Sequence, residues 1–264
     1  MKSKTILITG AGSGIGRETA ISLARKGHQV IATTHREEQA IEFRDWCNKN
    51  NLIMEAFKLD ITLPSDRSKI LKYELDILIN NAAIGESGSL SEIPVDKIRN
   101  NFEVNVFSTL ELTQLALNGM IKRDKGGVIF ISSLAGRIAM PFLAPYSMTK
   151  FALSSGADAL KQELKEITKN VQVSIIEPGA YHTGFNQKNV AKKFEWMDEK
   201  SYFYKIKEKL RKREERQFKL LENKSLKSIV SKIVEACESQ KPKLRYSAPN
   251  WQAIGVQILR TFGK

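Results

Sequence analysis

The apolar positions of this 264-residue chain follow two alternating rhythms. Short runs with little polar alternation occur at TILIT (5–9), QVIAT (29–33), LIMEAFKL (52–59), LDILI (75–79), GVIFIS (127–132) and VQVSII (171–176). Continuous runs of this length predict strands buried on both faces. Between them lie longer amphipathic stretches such as GIGRETAISLARKG (14–27) and YSMTKFALSSGADALKQELKEI (146–167), which predict helices. Strand–helix alternation predicts an α/β fold, a doubly wound parallel sheet with right-handed crossovers. A charged helical segment follows at about 187–222, then a helix to about Gln240 and a last strand, KLRYSA (243–248). No linker, repeat or low-complexity tract divides the chain, so a single domain is expected over 1–264.

The tail, 249–264, has its own pattern. Trp251, Ile254, Ile258, Leu259 and Phe262 recur at helical spacing, with Gln252, Gln257 and Arg260 elsewhere on the wheel. Three fates are open to such a stripe: packing on its own core or another subunit, anchoring at an anionic lipid surface, or a disordered end. Packing against protein is the expectation, with membrane-surface contact as the alternative. Lys241, Lys243, Arg245, Arg260 and Lys264 lie near the stripe in sequence and keep the lipid reading open.

Composition narrows the setting. The chain is 42% hydrophobic and 27% charged, as an ordinary globular protein is. No apolar run reaches the roughly 18 residues of a membrane-spanning helix, and no signal peptide is evident. The two cysteines, Cys47 and Cys237, fit neither a disulfide framework nor a metal site. A cytoplasmic protein without metal is therefore expected. The net charge of +13 raises the question of nucleic acid. Gln187 to Lys224 holds 13 basic and 7 acidic residues, but their signs alternate at helical spacing, as in Glu208 with Lys212. That pattern predicts a solvated helix face, or a basic rim for anionic ligands, and no nucleic-acid partner.

Candidate chemistry begins at TGAGSGIG (9–16), placed between the first strand and the first helix. Gly10, Gly14 and Gly16 permit a tight turn, and the backbone N–H groups of Ser13 to Gly16, Ile15 included, can meet a pyrophosphate at the helix N-terminus. A second signal is APYSMTK (144–150), where Tyr146 and Lys150 stand four apart on one helix face. A neighbouring cation favours phenolate and is expected to lower the Tyr146 pKa from about 10. Such a pair arises by chance as well, and alone it decides nothing.

The ordered set of motifs resembles the short-chain dehydrogenases/reductases. Thr9-Gly10-x-x-x-Gly14-x-Gly16 is similar to their cofactor turn, and Asp60, followed by Ile61, resembles their adenine contact. NNAA, with Asn81, Ala82 and Ala83, resembles their Asn-Asn-Ala-Gly, and EVNVFS resembles the segment carrying an active-site Asn, here Asn105. ISS (131–133) precedes Tyr146 by the family's interval, which makes Ser133 the catalytic serine. Pro178, Gly179 and Thr183 match the turn that touches the nicotinamide carboxamide.

The resemblance implies a single Rossmann-type oxidoreductase domain and a set of roles. Tyr146 is the general acid or base and Ser133 holds the substrate oxygen. Lys150 binds the nicotinamide ribose and acts on Tyr146, and Asn105 holds a helix irregularity and a water. Homodimers or homotetramers are implied, built through the long helices that carry Asn105 and Tyr146.

The second strand ends in Thr34-His35-Arg36 with no carboxylate before Glu37. An acid there would bind the ribose of NAD, whereas Thr34 and Arg36 can bind a 2′-phosphate. NADP(H) is therefore favoured over NAD(H), although relatives that prefer the phosphate commonly carry Arg where His35 stands. Residues 184–222 correspond to the family's substrate segment. Phe185, Phe194, Trp196, Met197, Tyr202, Phe203 and Tyr204 suit a lid over a lipophilic pocket, or else pack the lid itself. VIAT before a basic residue, and HTGF after Pro-Gly, loosely resemble the 17-beta-hydroxysteroid and retinol dehydrogenase branch. The expected substrate is a hydrophobic alcohol, ketone or aldehyde. A 3-oxoacyl-thioester reductase, which would use the basic rim, and a non-catalytic dinucleotide-binding regulator are the alternatives.

Overall fold

A computed structural model describes residues 2–263. Seven parallel strands form one sheet in the order β3-β2-β1-β4-β5-β6-β7. The strands are β1 (Thr5–Ile8), β2 (Gln29–Thr34), β3 (Glu55–Lys58), β4 (Ile77–Asn80), β5 (Gly126–Ile131), β6 (Val171–Pro178) and β7 (Arg245–Ala248). The helices are α1 (Gly14–Arg25), α2 (Glu37–Lys49), α3 (Pro64–Arg67), α4 (Val95–Phe102), α5 (Thr109–Lys122), α6 (Ala144–Lys165), α7 (Phe185–Glu195), α8 (Lys207–Leu221), α9 (Lys227–Glu238) and α10 (Asn250–Thr261). The third strand is shorter than its sequence run, because the chain turns at Asn51 and leaves Ile53 94% exposed.

Each strand feeds two cores, because successive side chains point to opposite faces. Ile6, Ile8, Ala32, Ile79 and Ile131 pack with Leu23, Ile229 and Ile233 on one face. Leu7, Ile31, Leu78, Phe130 and Ile175 pack with Leu112, Met120 and Leu153 on the other. Burial on both sides is why these strands read as unbroken apolar runs.

The strand order reverses between β1 and β4, and this opens a crevice at their carboxyl ends. The chain leaves β1, β4, β5 and β6 at that end of the sheet, so Thr9, Asn81, Ser133 and Pro178 are gathered from four distant places in sequence. Between α4 and α5 the chain widens into a π-helical turn, Glu103–Ser108, which contains Asn105.

Candidate active site

The glycine turn after β1 is shaped by close approach. Gly10 and Gly14 have φ of +65° and +58°, where L side chains are strained. A Cβ on Gly16 would lie 2.4 Å from Asn81 Nδ2 and 2.7 Å from the Gly10 carbonyl. Thr9 and Asn81 stiffen the turn from behind. Thr9 Oγ1 accepts the backbone N–H groups of Asn81 (3.0 Å) and Ala82 (2.9 Å). The Asn81 amide donates to the carbonyls of Thr9 (2.8 Å) and Gly10 (3.0 Å). Asn81 thus shapes the turn, and Ala82 closes on Gly10. Ala83 continues the half-buried edge of the crevice.

At the start of α1 the Ser13 side chain forms no cap. Among the described residues, no protein acceptor takes the N–H groups of Gly14, Ile15 or Gly16. Uncapped donors at a helix N-terminus, approached through a turn without Cβ atoms, fit a pyrophosphate.

The adenosine side departs from one expectation. Thr34 is buried, and its hydroxyl donates to the Arg36 carbonyl at 2.8 Å, so it does not offer a donor to a phosphate. His35 and Arg36 are exposed. The His35 ring lies 3.5 Å from Asp60 Oδ2, and Arg36 makes no ion pair among the described residues. Asp60 also accepts from the Thr62 N–H and hydroxyl, while Ile61 is buried in the core.

Ser133, Tyr146, Lys150 and Asn105 come together behind the expected nicotinamide position. Ser133 leaves β5 and caps a short 3-10 turn, accepting from the Ala135 N–H at 3.0 Å. Gly136, in that turn, abuts α6, where a Cβ would lie 2.9 Å from the Lys150 carbonyl. This contact sets α6 against the serine loop. The Ser133 hydroxyl stands close enough to the Tyr146 phenol to favour its ionised form. The Tyr146 ring keeps part of its surface and lies 5.7 Å from the Phe185 ring.

Asn105 is fully enclosed. Its amide donates to the Ile84 carbonyl (2.8 Å) and to Thr149 Oγ1 (3.0 Å), and it accepts the Ile84 N–H (2.9 Å). The π-helical turn is the irregularity expected at this position, and Asn105 uses it to join α6 to the loop after β4.

The expected effect of Lys150 on Tyr146 requires correction. Lys150 Nζ donates to the Ile131 carbonyl at 2.8 Å and lies 5.6 Å from the centre of the Tyr146 ring. Burial pushes the Tyr146 phenol well above its ordinary value, and the Ser133 hydroxyl offsets only part of that. Burial pushes the Lys150 ammonium down to about 8. With only the protein's own groups present, both side chains are driven toward neutrality.

Pro178 and Gly179 border the same space. The Pro178 carbonyl accepts from Ser133 Oγ at 3.4 Å, and Gly179 N–H donates to Ala248 at 2.8 Å. Thr183 packs on Gly14, and its hydroxyl accepts the N–H of Phe185, the first residue of α7, at 3.3 Å.

Two further residues hold this turn without a signal in local sequence. Glu177, wholly buried before Pro178, receives Arg245 Nη1 and Ser247 Oγ, each at 2.8 Å. Gln252, from α10, accepts the Ala180 N–H and donates to the Leu221 carbonyl, both at 2.7 Å.

The lid residues separate by location. Phe194, Met197 and Leu210 form a small core with Phe142, Trp196 and Phe203, beside a buried Lys193–Glu214 ion pair. Tyr202 and Tyr204 are exposed. Of the aromatic residues expected over the pocket, Phe185 is the one whose ring lies beside Tyr146, tilted by 60°; the core members pack the lid itself. A surface cleft of about 610 Å³ lined by Ile98, Arg99, Phe102 and Phe107 contains none of the four catalytic candidates.

Comparison with known proteins agrees with this architecture. The family model described as short chain dehydrogenase matches residues 4–193. A Helicobacter pylori protein named "Probable short-chain type dehydrogenase/reductase VdlC" is 34% identical over 66% of this chain and 63% of its own length. The NADPH-dependent 3-dehydrocapnine reductase of Ornithobacterium rhinotracheale is 34% identical over 67% of this chain and 65% of its own. These matches span just under two thirds of each relative's length. A short-chain dehydrogenase structure from Streptomyces avermitilis superposes with a TM-score of 0.78 at 25% identity, covering 99% of this chain and 94% of that one. A glycine turn on uncapped helix donors and a serine–tyrosine–lysine set on β5 and α6 thus accompany a match over most of the chain, which belongs to the short-chain dehydrogenase/reductase family.

Proposed function

We propose that this protein is an NADP(H)-dependent oxidoreductase that interconverts a bulky hydrophobic alcohol and its ketone or aldehyde. The observation that carries the reading is Tyr146 with Ser133 beside it, flanked by Phe185 and backed by Lys150 and Asn105. Two hydroxyls side by side can both address one carbonyl oxygen. Ser133 donates to that oxygen as charge gathers on it, and Tyr146 passes it a proton. In the reverse direction Tyr146 accepts the proton.

Nicotinamide, when bound, supplies or receives the hydride. The residues suited to hold the dinucleotide are the turn Gly10–Gly16 for its pyrophosphate and Arg36 with His35 for a 2′-phosphate. Lys150 is suited to the ribose. Asn105 keeps α6 and the loop after β4 at a constant separation through Thr149 and Ile84, so that Tyr146 does not drift from Ser133. Phe185 offers an apolar wall beside the phenol. The Ornithobacterium relative, named for an NADPH-dependent reduction, supports the same cofactor and direction.

The test is a fluorescence titration with NADPH and NADH, followed by NADPH consumption on paired small and bulky ketones. NADPH is expected to bind at least about tenfold more tightly, a gap of roughly 1.4 kcal/mol from one charge-assisted contact. Bulky ketones are expected to turn over faster than acetone. Tight binding of cofactor with no turnover across the panel would establish a binding protein instead.

A further inference from the structure

The C-terminal helix docks with an unusual polarity. Its inward contacts are Gln252, which holds Ala180 and Leu221, and Val256, its one buried residue; Gln257 receives Arg137 at 2.6 Å. The apolar stripe faces away from the protein. Trp251 is 52% exposed, Ile254 60%, Ile258 51% and Phe262 78%, with Leu259 also in water. Packing of this stripe on the chain's own core, one form of the sequence expectation, therefore does not occur. At 100° per residue, positions 251, 254, 258 and 262 share one arc of the helix.

Helix α8 carries the complementary feature. Lys209, Lys212, Arg213, Arg216 and Lys219 occupy a contiguous outward arc, all exposed, and none is in an ion pair among the described residues. Glu208 does not reach Lys212, and Glu214 turns inward to Lys193. Glu208 and Glu215 are exposed at one edge of this arc, so the face keeps both signs, with the five cations in the majority. Its end, Leu220 and Leu221, is exposed and apolar, and Gln252 ties Leu221 directly to α10. The basic residues closest to the tail in sequence contribute less. Lys241 and Lys243 precede β7, at the far end of that strand from α10, and Arg245 is bonded to Glu177 and Asp158. Lys264 lies outside the described residues.

The geometry points to α8 and α10 together forming a docking surface for an anionic lipid bilayer, with Gln252 tying α10 to the turn after Pro178. A helix with an apolar face, an aromatic residue near each end and basic residues alongside lies in the headgroup region with that face in the acyl boundary. The five cations of α8 are placed to meet the negative surface of such a membrane. A second copy of the chain is a poorer occupant. One face of a 12-residue helix is about 18 Å long and about 10 Å wide, far below the roughly 800 Å² per partner of a stable interface.

Vesicle sedimentation tests this without reference to turnover. Full-length protein is mixed at about 0.1 M salt with vesicles of phosphatidylcholine alone, or with about 30% phosphatidylglycerol. Binding is expected to the anionic vesicles only. The W251Q/F262Q pair and the K212Q/R213Q/R216Q triple are each expected to weaken it by about tenfold or more, with circular dichroism unchanged. Single W251Q and R216Q variants, expected to weaken it severalfold, serve if either combination fails to fold. Equal recovery with neutral and anionic vesicles, or no recovery with either, overturns the proposal. So does light scattering that shows an oligomer which W251Q/F262Q splits, because the stripe's occupant is then a second copy.

Discussion

The nucleotide end and the lid end of this molecule are held by different kinds of contact. Around the glycine turn the bonds run to backbone: Thr9 and Asn81 grip peptide groups, and Gly10 and Gly16 let peptide planes touch. The lid is held by side chains. Lys193 pairs with Glu214, and Glu92 accepts Ser201 Oγ at 2.7 Å. Backbone contacts depend on shape and admit only the residue that fits. Side-chain contacts depend on chemistry, so each can be exchanged at its own cost. The difference separates the part proposed to bind the cofactor from the part proposed to select a substrate.

The largest expected effect tests whether the chemistry belongs to neither end but to α6 between them. Tyr146→Phe should lower turnover by at least about a hundredfold in steady-state assays while leaving NADPH affinity nearly unchanged. Near wild-type turnover would remove Tyr146 from its role.

The contrast in contacts is sharpened by two glycines. Gly16→Ala meets backbone and the Asn81 amide, so it should destabilise by about 2 kcal/mol and weaken cofactor binding. Gly184, at the entrance to the lid, has φ +78° and open space around its Cβ position. Its change to Ala should cost about 1 kcal/mol in denaturant titration, with cofactor affinity retained. Equal losses of cofactor affinity in the two variants would erase the distinction.

A third comparison concerns Arg36, which stands free at the adenosine edge. Arg36→Ala should reduce the preference for NADPH by about tenfold, measured as the ratio of the two affinities. Thr34→Val should leave that ratio unchanged, because the Thr34 hydroxyl is already bonded to the Arg36 carbonyl.

The last effect is a pH slope. The Lys150 pKa is depressed to about 8 in the folded chain, so above that pH the unfolded chain binds more protons than the native one. The penalty of charging this buried amine is complete below pH 8 and fades as pH rises toward 10. Lys150→Met should flatten the corresponding rise in stability between about pH 8 and 10, read as a difference in melting temperature from the parent. A parallel pair of curves would place Lys150 in a more polar setting than its burial indicates.

Much of the fold was legible because burial on two faces writes itself into local sequence. The unbroken runs at 5–9, 29–33, 127–132 and 171–176 became β1, β2, β5 and β6 with small changes at their ends. Tyr146 and Lys150 were legible as a pair because one helix turn brings them to the same face, and Ser133 was legible through the resemblance of its interval to the family's. The orientation of Lys150 was not. Its amine turns to the Ile131 carbonyl, an acceptor 19 residues away, and the pKa shifts follow from enclosure that no spacing encodes.

The sequence by itself determined the sheet and the glycine turn, because periodicity and glycine placement act within a few residues, and the resemblance of its ordered motifs marked Ser133 and Tyr146 as candidates. Tertiary structure alone decided which faces were used. Helix α10 is amphipathic in either reading, but Gln252 and Gln257 find partners at Ala180, Leu221 and Arg137, and this turns the apolar stripe outward. The lid aromatics could have lined a pocket or packed on one another, and the Lys193–Glu214 pair beside Phe142 gathers most of them into a separate core. A helical period states that a face is apolar. Polar anchors from distant parts of the chain determine what that face meets.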